Sequence, residues 1–395
     1  MKQKIFSIMY AGAAIFMAVM IITFPQEVLK ASQRGLDVWA NVVFPSLLPF
    51  FIVAELLIAF GVVHFIGVLC EPIMRPLFNV PGVGGFVWTM GMASGYPAGA
   101  KFTARLRQEK ELSRTEAERL VSFTNASNPL FIIGAVSIGF FHDHKLGILL
   151  AITHYVSNFI VGLCMRFYKH KERHSDHPSS FSFSKAIRAL HQARIKEKRT
   201  IGKVLGDSVK HSIQTLLLIG GFIITFSVIT EILREVQIAQ IISSGIAVFL
   251  NLFQLPSDMA LPLFSGLFEI TIGANEISQA DNSILIQAIV VSVILAFNGF
   301  SVQAQVASIL AETDIRFAPY FFARLLHGMF AGILAWILYR PIYQGSLSKD
   351  TVISVWAEPS ISNIQSIYVL FEQSGFIMTL AALFIYLILL VKPKH

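Results

Sequence analysis

Four short polar clusters interrupt long apolar stretches of this chain, and they are where chemistry can sit. In the first half they are Ser94-Gly95-Tyr96-Pro97 and Asn125-Ala126-Ser127-Asn128-Pro129; in the second half they are Glu269, Thr271, Gly273 and Asn275, then Asn298, Ser301 and Gln303. Hydroxyls, amides and glycine-exposed N–H groups hold a small solute by hydrogen bonding. Where such N–H groups start a half-helix they suit an anion, with no dense fixed charge required. Two readings stand at this point, since a neighbouring helix would satisfy the same groups structurally and a water-filled cavity would engage them functionally.

Single residues sharpen the question. Pro129 removes a backbone donor and frees carbonyls in the preceding turn, which predicts an unwound stretch from Asn125 to Asn128. Glu269 is an ionisable group inside an apolar segment, a costly placement that reads by default as functional. A coupling-ion ligand, a proton carrier and a partner for a nearby base are its three open roles. Lys101, just past the first tip, is a candidate anion contact, as is Arg324, which also suits the balancing of a buried carboxylate; Arg324 and His327 share a helix face. Glu55 poses the same question as Glu269.

Enzyme readings find little support. There is no HExxH motif and no Walker A loop, and Met92-Ala93-Ser94-Gly95 lacks the first glycine of a rhomboid-like GxSG. A dyad of Ser94 with His154 or His327 is the one hydrolytic arrangement the residues offer. The two cysteines, Cys70 and Cys164, form no metal-ligand spacing. The reading is therefore of a non-enzyme with no cofactor and no metal site, in which a coupling Na+ or H+ stays open.

The elements that must position these clusters follow from composition. Of 395 residues, 54% are hydrophobic and only 14% are charged, against about 25% charged in an ordinary soluble domain. Uncharged stretches of bilayer-spanning length recur, so the fold class is all-α, a polytopic helical membrane protein. The formal charge of +7 sits mainly in loops, which points to membrane topology rather than nucleic acid.

Eight spans are predicted: Ile5 to Phe24, Val38 to Phe60, Val121 to Phe141, Leu146 to Met165, His211 to Thr230, Ile284 to Ala311, Phe317 to Tyr339 and Gln373 to Val391. The stretch from Arg166 to Lys210 carries twelve Lys/Arg against four Asp/Glu and is the strongest cytoplasmic signal. With it inside, both termini are cytoplasmic. Two Gly- and Pro-rich apolar segments, Pro76 to Ala100 and Met259 to Asn275, are not counted as crossings and are read as re-entrant hairpins.

The two halves echo one another. Leu77-Phe-Asn-Val-Pro81 matches Leu252-Phe-Gln-Leu-Pro256 at an offset of 175, and at that offset Gly91 falls on Gly266. Phe123-Thr-Asn125 is answered by Phe297-Asn298, and His154 by His327. Three crossings per half is an odd number, which predicts an inverted-topology repeat with the site near the midplane between interrupted helices. The expected organisation is residues 1–37 as N-terminal span and connector, and 38–168 as the first repeat, with its hairpin near 80–100. A basic cytoplasmic linker (169–205) follows, then the second repeat (206–340) with its hairpin near 256–276, and an external loop and C-terminal span (341–395).

Several runs carry a resemblance across nearly the whole chain. Val43-Phe-Pro-Ser-Leu-Leu-Pro-Phe-Phe51, Glu71-Pro-Ile-Met-Arg-Pro76, Val80-Pro-Gly-Val-Gly-Gly85, Gly91-Met-Ala-Ser-Gly95 with Pro97-Ala-Gly-Ala-Lys101, and Phe123-Thr-Asn-Ala-Ser-Asn-Pro129 resemble sporulation integral membrane proteins of the YlbJ (SpoVV) type from endospore-forming bacilli. That family has nucleoside-recognition gate repeats and a distant likeness to concentrative nucleoside transporters. The resemblance implies residence in the outer forespore membrane and movement of dipicolinic acid, pyridine-2,6-dicarboxylate, in support of the spore cortex and heat resistance. The partners implied are a small anionic substrate and the lipid bilayer, with a homo-oligomer left open. A nucleoside or other small-solute carrier, and a non-transporting scaffold for cortex assembly acting through the basic linker, are the alternatives.

Overall fold

The computed structural model describes residues 2–169, 182–196 and 199–345, which are helical throughout apart from turns and short connections. The predicted eighth span and the loop before it lie outside the described residues. All that follows concerns the unit Met1–Tyr343.

Helix α1 (Lys2–Thr23) turns sharply at Phe24 into α2 (Pro25–Val38), which runs through a π-helical stretch, Trp39–Val43, into α3 (Phe44–Ala59). Gly61, at φ 80°, makes the corner into α4 (Val62–Phe78), bent by 83° from α3. Only a residue without Cβ adopts that backbone readily. Asn79, also left-handed, ends α4 ahead of Pro81. There follow α5 (Val83–Ser94), α6 (Ala98–Gln108), α7 (Arg114–Thr124), a π-helical stretch Leu130–Phe140, and α8 (His144–Met165). Then come α9 (Phe183–Lys196), α10 (Ile201–Glu235), α11 (Ile238–Leu252), α12 (Ala260–Phe268), α13 (Ile270–Gln279), α14 (Ile284–Phe297), α15 (Gly299–Leu310) and α16 (Phe317–Leu338).

The starts of these helices are written locally. Ser113 accepts from Glu116 N while the Glu116 carboxylate accepts from Ser113 N, a reciprocal cap on α7. Asp143 caps α8 through Lys145 N at 2.9 Å. Glu71 holds Arg75 at 2.7 Å and also accepts from Gly82 N, so one side chain ties the end of α4 to the start of α5.

By length and composition four helical runs are long and apolar enough to cross a membrane, and two bent pairs bring the number to six among the described residues. Helix α10, with 35 residues, extends about 52 Å at 1.5 Å per residue, beyond the ~30 Å hydrocarbon thickness. The predicted third span, Val121 to Phe141, is not one helix: α7 starts earlier, at Arg114, and the chain is unwound from Asn125 to Asn128 before the π-helical stretch. The predicted sixth span is likewise interrupted, at Asn298.

Element order recurs in the two halves. A long helix, an amphipathic helix, a pair of short helices, an interrupted helix and a full-length helix run as α3, α4, α5/α6, α7 with Leu130–Phe140, and α8. The same sequence runs as α10, α11, α12/α13, α14/α15 and α16. The short pairs pack on themselves, α5 on α6 and α12 on α13. The halves interleave, with α16 packed on α8, α7 and α14, and α10 on α3 and α15.

Candidate functional site

Three breaks in helices line one cavity of about 580 Å³, and a fourth lies behind it. The first is Gly95-Tyr96-Pro97 between α5 and α6, where Gly95 has φ 87°. This hairpin sits against the end of α7 so closely that a Cβ on Gly91 or on Gly99 would stand 2.2 Å from the Thr124 carbonyl oxygen. Glycine at both positions is therefore a packing requirement.

The second break, Asn125 to Asn128, is pinned at several points. Ser127 N donates to His154 Nε2 at 3.0 Å, and the Tyr155 hydroxyl donates to the Ser127 carbonyl at 3.0 Å. Asn128 Nδ2 donates to the Ser94 carbonyl at 2.9 Å while its Oδ1 accepts from Phe131 N at 2.7 Å. One amide thus caps the downstream helical stretch and fastens it to the first hairpin.

The third break is at Glu269, where α12 gives way to α13. Its carboxylate caps α13 by accepting from Ile272 N at 2.9 Å and from the Thr271 hydroxyl. This side chain therefore occupies the half-helix N-terminus that the sequence offers to an anion. The fourth break is Asn298-Gly299, both with positive φ.

Of the residues singled out from sequence, Ser94, Gly95, Tyr96, Ser127, Asn128, Glu269, Thr271 and Ser301 all line the cavity. Ser94 Oγ is buried there without a hydrogen-bond partner, and the buried Tyr96 and Ser127 hydroxyls face each other. A buried polar atom is rarely left unpaired, which makes the Ser94 hydroxyl the natural handle for a polar guest. The rest of the wall is mainly aliphatic and aromatic, including Leu47, Phe131, Ile219, Ile223 and Val302, and Glu269 is its one carboxylate among the described residues. No Lys, Arg or His lines it among the described residues.

Other candidates sit elsewhere. Asn125 and Asn298 are buried behind the cavity at the Tyr320 hydroxyl. Gln303 Nε2 donates to the Phe297 carbonyl, a freed acceptor at the fourth break, at 2.8 Å. Gly273 packs against Gly266 with no room for a Cβ, and Asn275 Oδ1 accepts from Gln279 at 3.3 Å. Lys101 pairs with Glu55 at 3.4 Å and lies over the Phe51 ring.

Arg324 corrects the expectation placed on it. It is fully buried, faces neither the cavity nor a carboxylate among the described residues, and donates to the Ser122 and Asn125 carbonyls and to Asn158 Oδ1. Those carbonyls are orphaned where α7 ends, and a cation is favoured at that negative end of the helix dipole. The break in the first half is thus capped from the second half. Arg324 Nη1 also donates to His327 Nδ1 at 2.9 Å, so His327 Nε2 carries the proton it gives to the His154 carbonyl at 2.9 Å.

Tyr320, Tyr155 and Asn41 are site residues that the sequence reading passed over. For Tyr320 a signal exists: Tyr320, Arg324 and His327 follow the i, i+4, i+7 spacing of one helix face. Asn41 and Tyr155 carry no such mark.

Fold and site together define a polytopic helical membrane protein in which interrupted helices of two similar halves line one cavity. The family described as Gate, nucleoside recognition, matches residues 40–141 and 216–314. Sporulation integral membrane protein YlbJ of Bacillus subtilis (strain 168) is 52% identical over 395 residues, covering 98% of this chain and 96% of that protein. The chain belongs to this YlbJ family of sporulation integral membrane proteins with gate repeats. A solved structure of a CNTnw variant in an outward-facing state aligns over 82% of this chain and 87% of its own, at 11% identity and a TM-score of 0.39. That likeness is too remote to support an argument.

Proposed function

We propose that this chain is a secondary transporter or facilitator that moves dipicolinic acid across the outer forespore membrane, in support of cortex formation and spore heat resistance. The observation that carries the transport reading is the cavity of about 580 Å³ lined at three helix breaks, with the hydroxyls of Ser94, Tyr96 and Ser127 buried on its wall. Interrupted helices that meet at a cavity near the midplane are how many secondary transporters hold a solute. In this reading the two halves are inversely oriented, α5/α6 and α12/α13 are re-entrant, and the basic linker is cytoplasmic.

The substrate comes from the family resemblance, and its chemistry is compatible with the site. Dipicolinate is planar and small, its ring suits the aliphatic and aromatic wall, and its carboxylates suit hydroxyl and N–H donors. With Glu269 as the wall's one carboxylate and no basic side chain on it among the described residues, a dianion suits accompanying positive charge, a role for a coupling Na+ or H+. Ser94, Tyr96, Ser127, Asn128, Thr271 and Ser301 contact the solute, and Glu269 couples or positions.

The test is uptake of labelled dipicolinate into proteoliposomes holding the purified chain, with sodium and proton gradients imposed in turn. Saturable uptake that Asn128→Ala and Glu269→Gln abolish supports the reading. Uptake competed by nucleosides in place of dipicolinate would transfer it to a nucleoside carrier, the alternative favoured by the name of the matched family. A folded chain that moves neither, and whose cellular role survives both substitutions but not removal of the basic linker, would instead be a scaffold.

A further inference from the structure

A second cavity, of about 550 Å³, shares the helices α3, α10 and α15 with the central one, and along the first hairpin it is lined by α6 where the central one is lined by the end of α5 and the tip. On α3 the central wall includes Leu47 and the second wall Glu55; on α15 the corresponding residues are Gln305 and Ile309. On α10 they are the neighbours Ile219 and Leu218, and along the first hairpin Tyr96 and Lys101. Positions three or four apart share a helix face, so Leu47, Phe51 and Glu55 form one stripe of α3. Val302, Gln305 and Ile309 form another on α15. On α15 the two walls lie about one turn apart, roughly 6 Å, and on α3 Leu47 and Glu55 lie about 12 Å apart.

Their character differs. Where the central wall is mainly apolar, the second holds ion pairs, Lys101 with Glu55 at 3.4 Å and Arg199 with Asp207 at 2.9 Å. Phe51 stands at the middle of the α3 stripe and belongs to neither lining. It is fully buried, meets Phe102 edge-on at 6.2 Å between ring centres, and has Lys101 Nζ 4.5 Å from its own ring centre. A cation over an aromatic face is attracted to it, so the ammonium that pairs with Glu55 also holds the ring in place.

We propose that the two cavities are successive halves of one solute path. The second is its polar vestibule, Phe51 is the partition between them, and the Lys101–Glu55 pair is the latch on that partition. The proposal rests on the transport reading of the central cavity and adds to it the route by which the solute leaves or enters. An anion in the vestibule competes with Glu55 for the Lys101 ammonium and so frees the ring to turn.

The test needs no solute. In a chain with Cys70 and Cys164 replaced by Ser, Gln214→Cys marks the vestibule and Val302→Cys the central wall. Each is reconstituted into sealed vesicles and exposed to a membrane-impermeant methanethiosulfonate on one side at a time. Gln214→Cys reacts from one side; from that side Val302→Cys stays protected until Phe51→Ala is added, and then reacts at least tenfold faster. Lys101→Met keeps the aliphatic stem and removes the charge, and produces the same change should Phe51→Ala elute as aggregate. An unchanged rate at Val302→Cys in both backgrounds overturns the partition. Loss of protection in vesicles that take up no dipicolinate supports the path while telling against that solute, whereas normal uptake with unchanged labelling removes the path alone.

Discussion

Asn125 and Asn298, 173 positions apart at the breaks of corresponding helices, meet at the hydroxyl of Tyr320. Asn125 Nδ2 donates to that oxygen at 2.8 Å, and with the Asn298 amide oriented to satisfy its surroundings, the hydroxyl donates to Asn298 Oδ1 at 3.1 Å. The same orientation lets Asn298 Nδ2 donate to the carbonyls of Leu295 and Ala296 at 2.9 and 3.1 Å. One phenol therefore locks the two interrupted helices to each other.

Tyr320→Phe leaves both amides in place without their shared partner. A buried polar group stripped of its bond loses about 1–3 kcal/mol, and the expected result is a lower unfolding midpoint in detergent. Asn125→Ala combined with Tyr320→Phe should lose less than the sum of the single changes. Additive losses would show that the two groups do not interact.

Arg324→Lys should be nearly as damaging as Arg324→Met. A guanidinium serves several acceptors in fixed directions, and an ammonium does not reproduce that fork. The Ser122 and Asn125 carbonyls and Asn158 Oδ1 would compete for one point charge, and a loss of about 3 kcal/mol or more is expected from breaking such a buried network. Chemical denaturation of the reconstituted variants measures it; a Lys variant as stable as the parent would refute the capping role.

Gly99→Ala should fail to assemble the site even though alanine is the better helix former. The added methyl meets the Thr124 carbonyl oxygen at 2.2 Å, where only backbone movement makes room. Gly221→Ala, with nothing within 4 Å of its added carbon, is the control and should be neutral or slightly stabilising. The comparison is read from expression as a monodisperse species.

The last turn of α6 is joined to the loop ahead of α16 by Arg107 and Asp314, with Nε to Oδ1 and Nη2 to Oδ2 both at 2.8 Å. The guanidinium holds the Asp314 carboxyl below the usual carboxylate range. With the folded value depressed, the contribution is fully present above the unfolded value of about 4 and is lost as pH falls through the folded one. Asp314 is half exposed, so the contribution is at most about 1 kcal/mol. Asp314→Asn should lower the unfolding midpoint at pH 7, with the difference from the parent shrinking as pH falls below about 4; a difference that stays constant under acid would refute the linkage.

Much of this architecture is legible in the residues themselves. Low charge and recurrent apolar runs require a helical membrane protein, because lipid leaves backbone polar groups no partner but each other. Pro129 behind Asn125-Ala-Ser-Asn marks an interrupted helix, and the matched LFxxP runs mark a chain whose halves share one order of elements. These features depend on local backbone chemistry and periodicity, which a sequence displays directly.

What a side chain faces is another matter. Glu269 reads as a lone buried acid, and folding turns its carboxylate onto the start of its own helix α13, at the cavity wall. Arg324 reads as a counter-charge for an anion, and folding presents it instead to carbonyls some two hundred positions earlier, where α7 runs out of hydrogen bonds. Whether Asn125 and Ser127, two residues apart, look outward into the cavity or back toward Tyr320 is set by an unwound backbone with no period to extrapolate. Burial and helix breaks are thus local matters written in composition and in prolines, whereas the partners of the buried groups are set by how distant helices pack, as when Arg324 reaches Ser122 and Asn125.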